Sequence, residues 1–303
     1  MYLHDDENAF AYLVAETGRV YGIQSDYVIK DYFIYEFLKE LVGNNPLVVF
    51  KGGTALSKCY KVIRRFSEDA DLGMETSRVT EGQRRKLKQS IVDTVNTLGL
   101  EISNIDETKS RRSFNRYLIP LVSYDDSPNT LMVETALMTP VWPTQTREIS
   151  SFIHDYCVES AMADVIDEFG LSPFSLTVSS LERTFVDKIY AICDYFLAEE
   201  IPARQSRHIY DLHKLLSEVS LDDAMVTLLE QVRQDRESSA QCPSAQQDVN
   251  LAALLTDIVR SKAYEEDYRV ITDPLLYENV SYDTAVEALK TISDFLSRRP
   301  HPY

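Results

Sequence analysis

Long apolar runs and patterned cysteines are missing from this 303-residue sequence. No stretch of about 18 or more apolar residues occurs, which excludes a membrane-spanning helix. The acidic, polar start MYLHDDENAF does not fit a secretory signal peptide. The four cysteines follow neither CxxC nor zinc-ligand spacing, which predicts reduced thiols rather than a disulfide framework or a zinc site. We therefore expect a cytoplasmic protein with no membrane partner.

Positive charge is also scarce, because 31 Lys and Arg residues stand against 48 Asp and Glu residues, a net charge of −17. This balance excludes a protein coated uniformly with basic surface for nucleic acid. The cations are nevertheless concentrated, since residues 51–116 hold 14 Lys and Arg against 9 Asp and Glu. Such a local excess could receive a nucleoside triphosphate and a polyanion such as RNA. The run RRKLK at residues 84–88 fits a solvated helix face equally well.

The most informative stretch is residues 47–74, in which LVVF precedes KGGTALSKCYKVIRRF and SEDADLGM. Its pattern predicts a short strand, a turn at Gly52 and Gly53, a helix from Thr54, and a second strand. Glycines permit tight backbone geometry, and the unpaired N–H groups at the start of a helix favour an anion. The turn is therefore a predicted phosphate-binding site.

The second strand carries two carboxylates, Asp69 and Asp71, on one face, because side chains two residues apart on a strand point the same way. Ala70 between them is expected to face the core. Paired carboxylates suit a hard divalent cation, which prefers oxygen ligands. Together with the glycine turn they indicate metal-assisted transfer of a nucleotidyl or phosphoryl group. A Walker A loop is excluded, because GGTALSK lacks its spacing.

At these residues the chain resembles the AbiEii/AbiGii-type nucleotidyltransferase toxins, which include the MenT toxins, within the nucleotidyltransferase (DNA polymerase beta-like) fold superfamily. The matching text is FKGGTALSKCY and RFSEDADL. The run VIKDYFIYEFLKEL at residues 28–41 is similar to the family's opening helix, in which Lys30 and Asp31 fit surface charges equally well. The resemblance implies that Asp69 and Asp71 bind one or two Mg²⁺ ions. It also implies a nucleotide-binding set of five residues: Gly52, Gly53, Thr54, Lys58 and Ser67.

Two apolar runs at residues 116–124 and 130–138, separated by the turn-forming DDSPN, predict a β-hairpin. A short strand is also expected at residues 100–105. Glu134 is the one acid in the second run of the hairpin. Because burying a lone carboxylate is costly, it either has a partner or faces water at the edge of the strand. The resemblance implies the former, with Glu134 as the third carboxylate of the metal site.

Beyond about residue 160 the pattern is mainly helical. One helix carries Lys188 beside its apolar stripe, and the next carries Arg207 and Asp211 one turn apart. Taken alone, these residues fit ordinary helical ion pairs. The resemblance instead implies that Lys188 meets the nucleotide triphosphate and that Asp211 orients Lys188 or the site around it. His208 departs from the family's usual Asp, and its role is left open.

These observations predict an α+β protein, with a nucleotidyltransferase-fold mixed sheet flanked by helices over residues 1–160 and a mainly helical domain over 161–303. The favoured activity is Mg²⁺-dependent transfer of NMP from an NTP to an acceptor hydroxyl. The resemblance implies the toxin of a toxin–antitoxin or abortive-infection system, with tRNA as acceptor and a cognate antitoxin protein as partner. Nucleotidylation of a protein or a small molecule, and a non-catalytic nucleotide-binding module on the same fold, remain alternatives. The sequence leaves open the preferred base, the acceptor, the oligomeric state and the antitoxin.

Overall fold

The structure of the protein, a computed structural model, describes residues 1–67, 69–76, 78–124, 128–198 and 200–299. The chain forms two compact units. The first comprises Met1–Tyr60 and Ser67–Val178, and the second comprises Lys61–Phe66 and Ser179–Tyr303. The predicted domain boundary between residues 160 and 161 stays a prediction.

The first unit is built on one sheet with six strands. Its strands are β1 (Val48–Lys51), β2 (Asp69–Met74), β3 (Phe114–Leu121), β4 (Asn129–Ala136), β5 (Thr144–Ile149) and β6 (Phe174–Ser179). Its α-helices are α1 (Glu7–Tyr21), α2 (Ser25–Asn44), α3 (Gly52–Lys58), α4 (Glu81–Thr97), α5 (Phe152–Glu159) and α6 (Ala163–Phe169), and short 3₁₀ turns lie at Leu3–Asp5 and Ile105–Glu107.

The strands follow the order β3-β4-β2-β1-β6-β5 across the sheet. Strand β1 pairs with β2 antiparallel and with β6 parallel, while β4 pairs with β2 parallel and with β3 antiparallel. The sheet is therefore mixed, which confirms the predicted fold class. The β3–β4 pair confirms the predicted hairpin, whose turn DDSPN lies partly outside the described residues.

One face of the β2, β3 and β4 region is buried and the other is partly exposed. Side chains alternate along β2 and β4 between the two faces, as the period of a strand requires. The buried side chains join those of α2 and α4 in one apolar cluster, to which Leu72, Val133 and Tyr117 belong. The charged side chains Asp69, Asp71, Arg116 and Glu134 consequently lie on the opposite face.

The helix α2 buries an acid without a hydrogen-bonding partner. Glu36 is 0% exposed, and neither carboxylate oxygen has a hydrogen-bond partner among the described residues. Lys39 Nζ lies 3.8 Å from Glu36 Oε2. Burial raises the pKa of Glu36 to about 7, with Lys39 opposing and Glu40 reinforcing the shift. Glu36 therefore destabilises the first unit whenever it is ionised.

We expect Glu36→Gln to stabilise the protein at pH 8 and to have little effect at pH 5. Because the folded-state pKa lies above the unfolded value of 4.5, the penalty is absent below that value, grows as pH rises, and is complete above pH 7. A shift of this size corresponds to about 3 kcal/mol at pH 8 and less than about 1 kcal/mol at pH 5. Urea unfolding of both proteins at the two pH values measures the difference. An equal gain at both would show that ionisation of Glu36 is not the cause.

The predicted strand at residues 100–105 is wrong. The segment lies along the outer edge of β3 with one backbone bond, from Ser103 N to the carbonyl of Leu118 at 2.9 Å, and a side chain makes the neighbouring contacts in place of a backbone ladder. Asn104 donates from Nδ2 to the carbonyl of Arg116 at 3.0 Å and accepts from Leu118 N at 2.9 Å. The asparagine thus satisfies the edge of β3, and the chain turns into a 3₁₀ helix directly afterwards.

The second unit is mainly helical, as predicted. Its α-helices are α7 (Leu181–Phe196), α8 (Arg207–Leu215), α9 (Asp223–Arg236), α10 (Leu251–Ser261), α11 (Glu265–Asp267) and α12 (Tyr282–Ser297), with 3₁₀ turns at Pro243–Ala245 and Asp273–Leu275 and a π-helical turn at Tyr268–Thr272. Buried tyrosines tie these helices together, since Tyr190 donates to the carbonyl of Leu229 and Tyr264 to that of Ile192. In the described part of the chain no helix is both long and apolar enough to cross a bilayer. All four cysteines are free thiols.

Candidate active site

The two glycines of the predicted turn are the first residues of α3, directly after β1, and Gly52 lies against a carboxylate of β2. Gly52 begins α3, two residues earlier than predicted, with φ +76°, in the left-handed region that strains other residues. A Cβ atom built on Gly52 would lie 2.0 Å from Asp71 Oδ2. The carboxylate of Asp71 therefore rests against the backbone of the turn. Both the conformation and this contact require glycine at position 52.

The two predicted carboxylates share one face of β2. Asp69 and Asp71 are partly exposed, while Ala70 between them is fully buried, as the strand period predicts. Glu134 lies opposite Asp71 in the parallel β2–β4 pair and occupies a partly exposed position of β4. The register of the sheet therefore brings the third predicted acid next to the pair. Arg116 of β3 donates from Nε to Glu134 Oε1 at 2.6 Å.

The chemistry of the paired acids fits a hard divalent cation. Mg²⁺ is commonly held by one or two carboxylates, with substrate phosphates and waters completing its coordination. Asp69 and Asp71 supply such a pair beside the turn. Among the residues that the structure describes, no group of three or more His, Cys, Asp or Glu side chains could hold a metal ion. The assignment of Glu134 as a third ligand stays a prediction.

Thr54 and Ser67, both members of the predicted nucleotide-binding set, contact each other. Thr54 is buried, and its Oγ1 donates to Ser67 Oγ at 3.0 Å. The Thr54 hydroxyl therefore holds the turn against the residue that precedes β2 by two positions. Ser67 is half-buried, and because its oxygen accepts this bond, its own proton can be donated elsewhere.

Lys58, at the end of α3, forms a buried ion pair with Asp31 of α2. The same carboxylate accepts a hydrogen bond from Phe152 N at 2.7 Å. The interpretation of Asp31 as a surface charge is therefore wrong, because its side chain is buried between three elements of the first unit. The predicted contact of Lys58 with phosphate stays a prediction. It requires the ammonium group either to leave Asp31 or to contact Asp31 and the phosphate at the same time.

The second unit contains a buried network of two cations around one carboxylate. Asp211 of α8 accepts from Arg65 Nε at 2.7 Å and from Arg65 Nη2 at 2.8 Å. It also accepts from Lys188 Nζ of α7 at 2.6 Å. Asp211 thus fixes the position of Lys188 within the second unit, while the contact of Lys188 with a triphosphate stays a prediction. The partners of Asp211 are not those of an ordinary helical ion pair.

The two cations around Asp211 shift the pKa values of the groups in and beside this network. Burial would raise the pKa of Asp211, but Arg65 and Lys188 together outweigh it and hold the pKa far below its usual range. Burial lowers the pKa of Lys188, with Asp211 opposing and Arg65 reinforcing the shift. Burial and Lys188 also lower the pKa of His208 well below its usual value. His208, which stacks on Tyr195, is therefore neutral at physiological pH.

Arg65 and Asp31 are the residues of these networks that the sequence interpretation missed. Arg65 belongs to Lys61–Phe66. In the sequence this segment lies between the two parts of the first unit, but it is part of the second unit. Backbone bonds hold it there, from Phe66 N to the carbonyl of Leu275 and from Tyr277 N to that of Arg64. Arg65 is the first residue of the motif RFSEDADL. The match of this motif to the family was the one sequence feature that could have drawn attention to Arg65.

The fold and these residues define a nucleotidyltransferase-type protein, with a glycine turn and paired carboxylates on a mixed sheet. A family model for the nucleotidyl transferase AbiEii toxin, Type IV TA system, matches residues 36–289, and the chain belongs to this family. The resemblance found in the sequence is thereby confirmed. None of the curated proteins is similar enough to match the chain.

MenT4 and JHP933 are two of the solved structures that are similar to this chain. MenT4, a nucleotidyltransferase toxin from Mycobacterium tuberculosis H37Rv, is 17% identical with a TM-score of 0.56, covering 94% of this chain and 90% of that one. JHP933 from Helicobacter pylori is 17% identical with a TM-score of 0.44, covering 86% of this chain and 88% of that one. The likeness to MenT4 supports the fold.

Proposed function

We propose that this protein is a Mg²⁺-dependent nucleotidyltransferase and the toxin of a toxin–antitoxin system. The acceptor hydroxyl oxygen attacks the α-phosphorus of an NTP, and the bond from that phosphorus to the pyrophosphate oxygen breaks. The hydroxyl proton passes to a carboxylate or to solvent, and pyrophosphate leaves. The observation that carries the proposal is the contact between the Asp71 carboxylate and the backbone of Gly52, because it joins a cation-binding group to a turn suited to phosphate.

The first unit supplies the groups for the reaction. Asp69 and Asp71 would hold Mg²⁺, and Glu134, oriented by Arg116, would be the third carboxylate. When bound, Mg²⁺ supplies charge neutralisation at the phosphate oxygens and lowers the pKa of the attacking hydroxyl. Positioning and charge neutralisation supply most of the catalysis in such chemistry.

The remaining predicted residues would bind the triphosphate or orient the groups around it. Gly52 and Gly53 would leave room for phosphate at the backbone, where Ser67 can donate a hydrogen bond. Thr54 fixes the position of Ser67, and Lys58 adds positive charge at the end of α3. In the second unit, Asp211 orients Lys188, whose ammonium group would neutralise triphosphate charge.

The acceptor that we propose is RNA, specifically tRNA. The family description implies a cognate antitoxin protein. The basic residues of 51–116 favour a polyanionic acceptor over a small molecule. A protein acceptor and a purely nucleotide-binding role are outcomes that the following experiment can return.

The experiment incubates the purified protein with Mg²⁺, each α-labelled NTP in turn, and either total tRNA or cell lysate. An Asp69→Asn/Asp71→Asn variant is the control, because amides preserve the size of both side chains. Label that enters RNA with the natural protein alone would support the proposal and identify the base. Label in protein would contradict the RNA acceptor, and NTP binding without transfer to any acceptor would contradict the enzyme.

A further inference from the structure

The edge strand β3 presents an aromatic ring and a guanidinium group side by side. Phe114 and Arg116, two residues apart and hence on one face, are 45% and 53% exposed. Asn115 and Tyr117, which point to the other face, are buried. An exposed phenylalanine in a regular strand beside an exposed arginine is a surface that can stack a planar ring and bind an anion.

The sheet register places these two side chains on the face that carries the carboxylates. Arg116 lies opposite Glu134, and Glu134 lies opposite Asp71. Two strand spacings separate Arg116 from Asp71, roughly 10 Å between backbones. Phe114 follows in the next row, opposite Ala136. A ligand whose reactive group lies at Asp71 can therefore extend across β4 onto Phe114.

Hydrogen bonds hold this surface rigid. Asn104 bonds both the carbonyl of Arg116 and the amide of Leu118 along the outer edge of β3. Asn115 accepts from Lys109 N at 2.8 Å and donates to the Lys109 carbonyl at 3.1 Å. The residues before β3 are therefore fixed beside its first residue, Phe114. A preformed surface of this kind loses little conformational entropy when a ligand binds.

The charge around Phe114 favours a polyanion. Residues 109–116 carry four cationic side chains and no anionic one, in a protein with a net charge of −17. Lys109, Arg111, Arg112 and Arg116 are all exposed. Arg116 uses its Nε for Glu134, but a guanidinium group has five N–H donors. Aromatic rings beside cations are the features by which proteins bind single-stranded nucleic acid.

We propose that Phe114 and Arg116 form the binding site for the acceptor, a single-stranded polynucleotide. A base of the acceptor stacks on Phe114, and Arg116 contacts the adjoining phosphate. This inference rests on the proposed function for the identity of the reaction, but the binding step it describes can be measured without transfer.

The test measures fluorescence anisotropy of a short fluorescein-labelled single-stranded RNA, without NTP, against the full-length protein and its variants. We expect Phe114→Ala to weaken RNA binding about tenfold or more, and Phe114→Trp to preserve it, because base stacking needs an aromatic face. Arg116→Ala should reduce the slope of log K against log salt concentration by about the amount that one phosphate contact contributes. Tyr12→Ala, which removes a 54% exposed aromatic ring from α1, should bind like the natural protein.

Two results would overturn the site. The first is equal RNA affinity of Phe114→Ala and the natural protein. The second is a weaker affinity of Phe114→Ala for NTP with unchanged RNA binding, because the stacked ring would then belong to the nucleotide donor. Since Phe114 is half exposed, its variants should fold, and circular dichroism checks this.

The same variants separate this site from the proposed reaction. If the natural protein transfers label to RNA and Phe114→Ala raises KM for RNA without changing kcat, both inferences are supported. If transfer occurs with an unchanged KM, the site is overturned and the reaction stands. If RNA binds in a manner that depends on Phe114 but no label is transferred, the site stands and the reaction is overturned.

Discussion

Replacing Gly52 with alanine is expected to reduce nucleotidyl transfer by about 100-fold or more while leaving the protein folded. The new Cβ would lie 2.0 Å from Asp71 Oδ2, 2.9 Å from its Cγ and 3.1 Å from its Cβ. The whole side chain of Asp71 must therefore move, and a displacement of about 1 Å at a reacting group can cost 100-fold in rate. The side chain can move without unfolding the sheet, so activity should fall much more than stability. Initial rates with labelled NTP, together with thermal unfolding, measure both.

Gly22→Ala is the matched control for this prediction. Gly22 has φ +67°, close to the +76° of Gly52, but nothing lies within 4 Å of the Cβ that alanine would add. Both variants therefore incur the backbone strain of a left-handed alanine, about 1–2 kcal/mol. Only Gly52→Ala displaces a carboxylate. Equal activity of the two variants would show that the position of Asp71 is not important for transfer.

Local patterns made the centre of the first unit predictable. The alternation of Asp69, Ala70 and Asp71 follows from the period of a strand, and the structure reproduces it. The glycine turn and the β3–β4 hairpin are likewise encoded within a few residues. The family resemblance singled out both Lys188 and Asp211, whose hydrogen bond no local pattern indicates because 23 positions separate them.

Contacts between distant residues were not predictable in this way. Helical spacing suggested Arg207 as a partner of Asp211, but the bidentate partner is Arg65, 146 positions earlier. In the sequence, Asp31 cannot be distinguished from an exposed helical charge. In the structure, residues of α3 and α5 contact its carboxylate. The error at residues 100–105 has a similar cause, since only one backbone bond joins the segment to β3 and the side chain of Asn104 makes the neighbouring bonds. Periodicity identifies a face of an element but not what covers it.

Replacing Asp211 with asparagine is expected to destabilise the second unit by about 3–5 kcal/mol. The change leaves the guanidinium of Arg65 and the ammonium of Lys188 buried without their shared carboxylate. A buried charge that loses its partner costs this much because neither water nor a counter-ion replaces the lost interaction. Urea unfolding followed by circular dichroism measures the loss. The matched control is Asp257→Asn, whose exposed ion pair with Arg260 should contribute less than about 1 kcal/mol.

A triple variant distinguishes the loss of charge pairing from a loss of packing. Arg65→Met/Lys188→Met/Asp211→Leu removes all three charges and keeps apolar volume, so it should recover most of the stability that Asp211→Asn loses. The proposed contact of Lys188 with the triphosphate further predicts that this variant is inactive, because the ammonium group is gone. If Asp211→Asn unfolds at the same urea concentration as the natural protein, the network does not hold the second unit together. If the triple variant is as unstable as Asp211→Asn, the cost comes from packing around α7 and α8 rather than from unpaired charge.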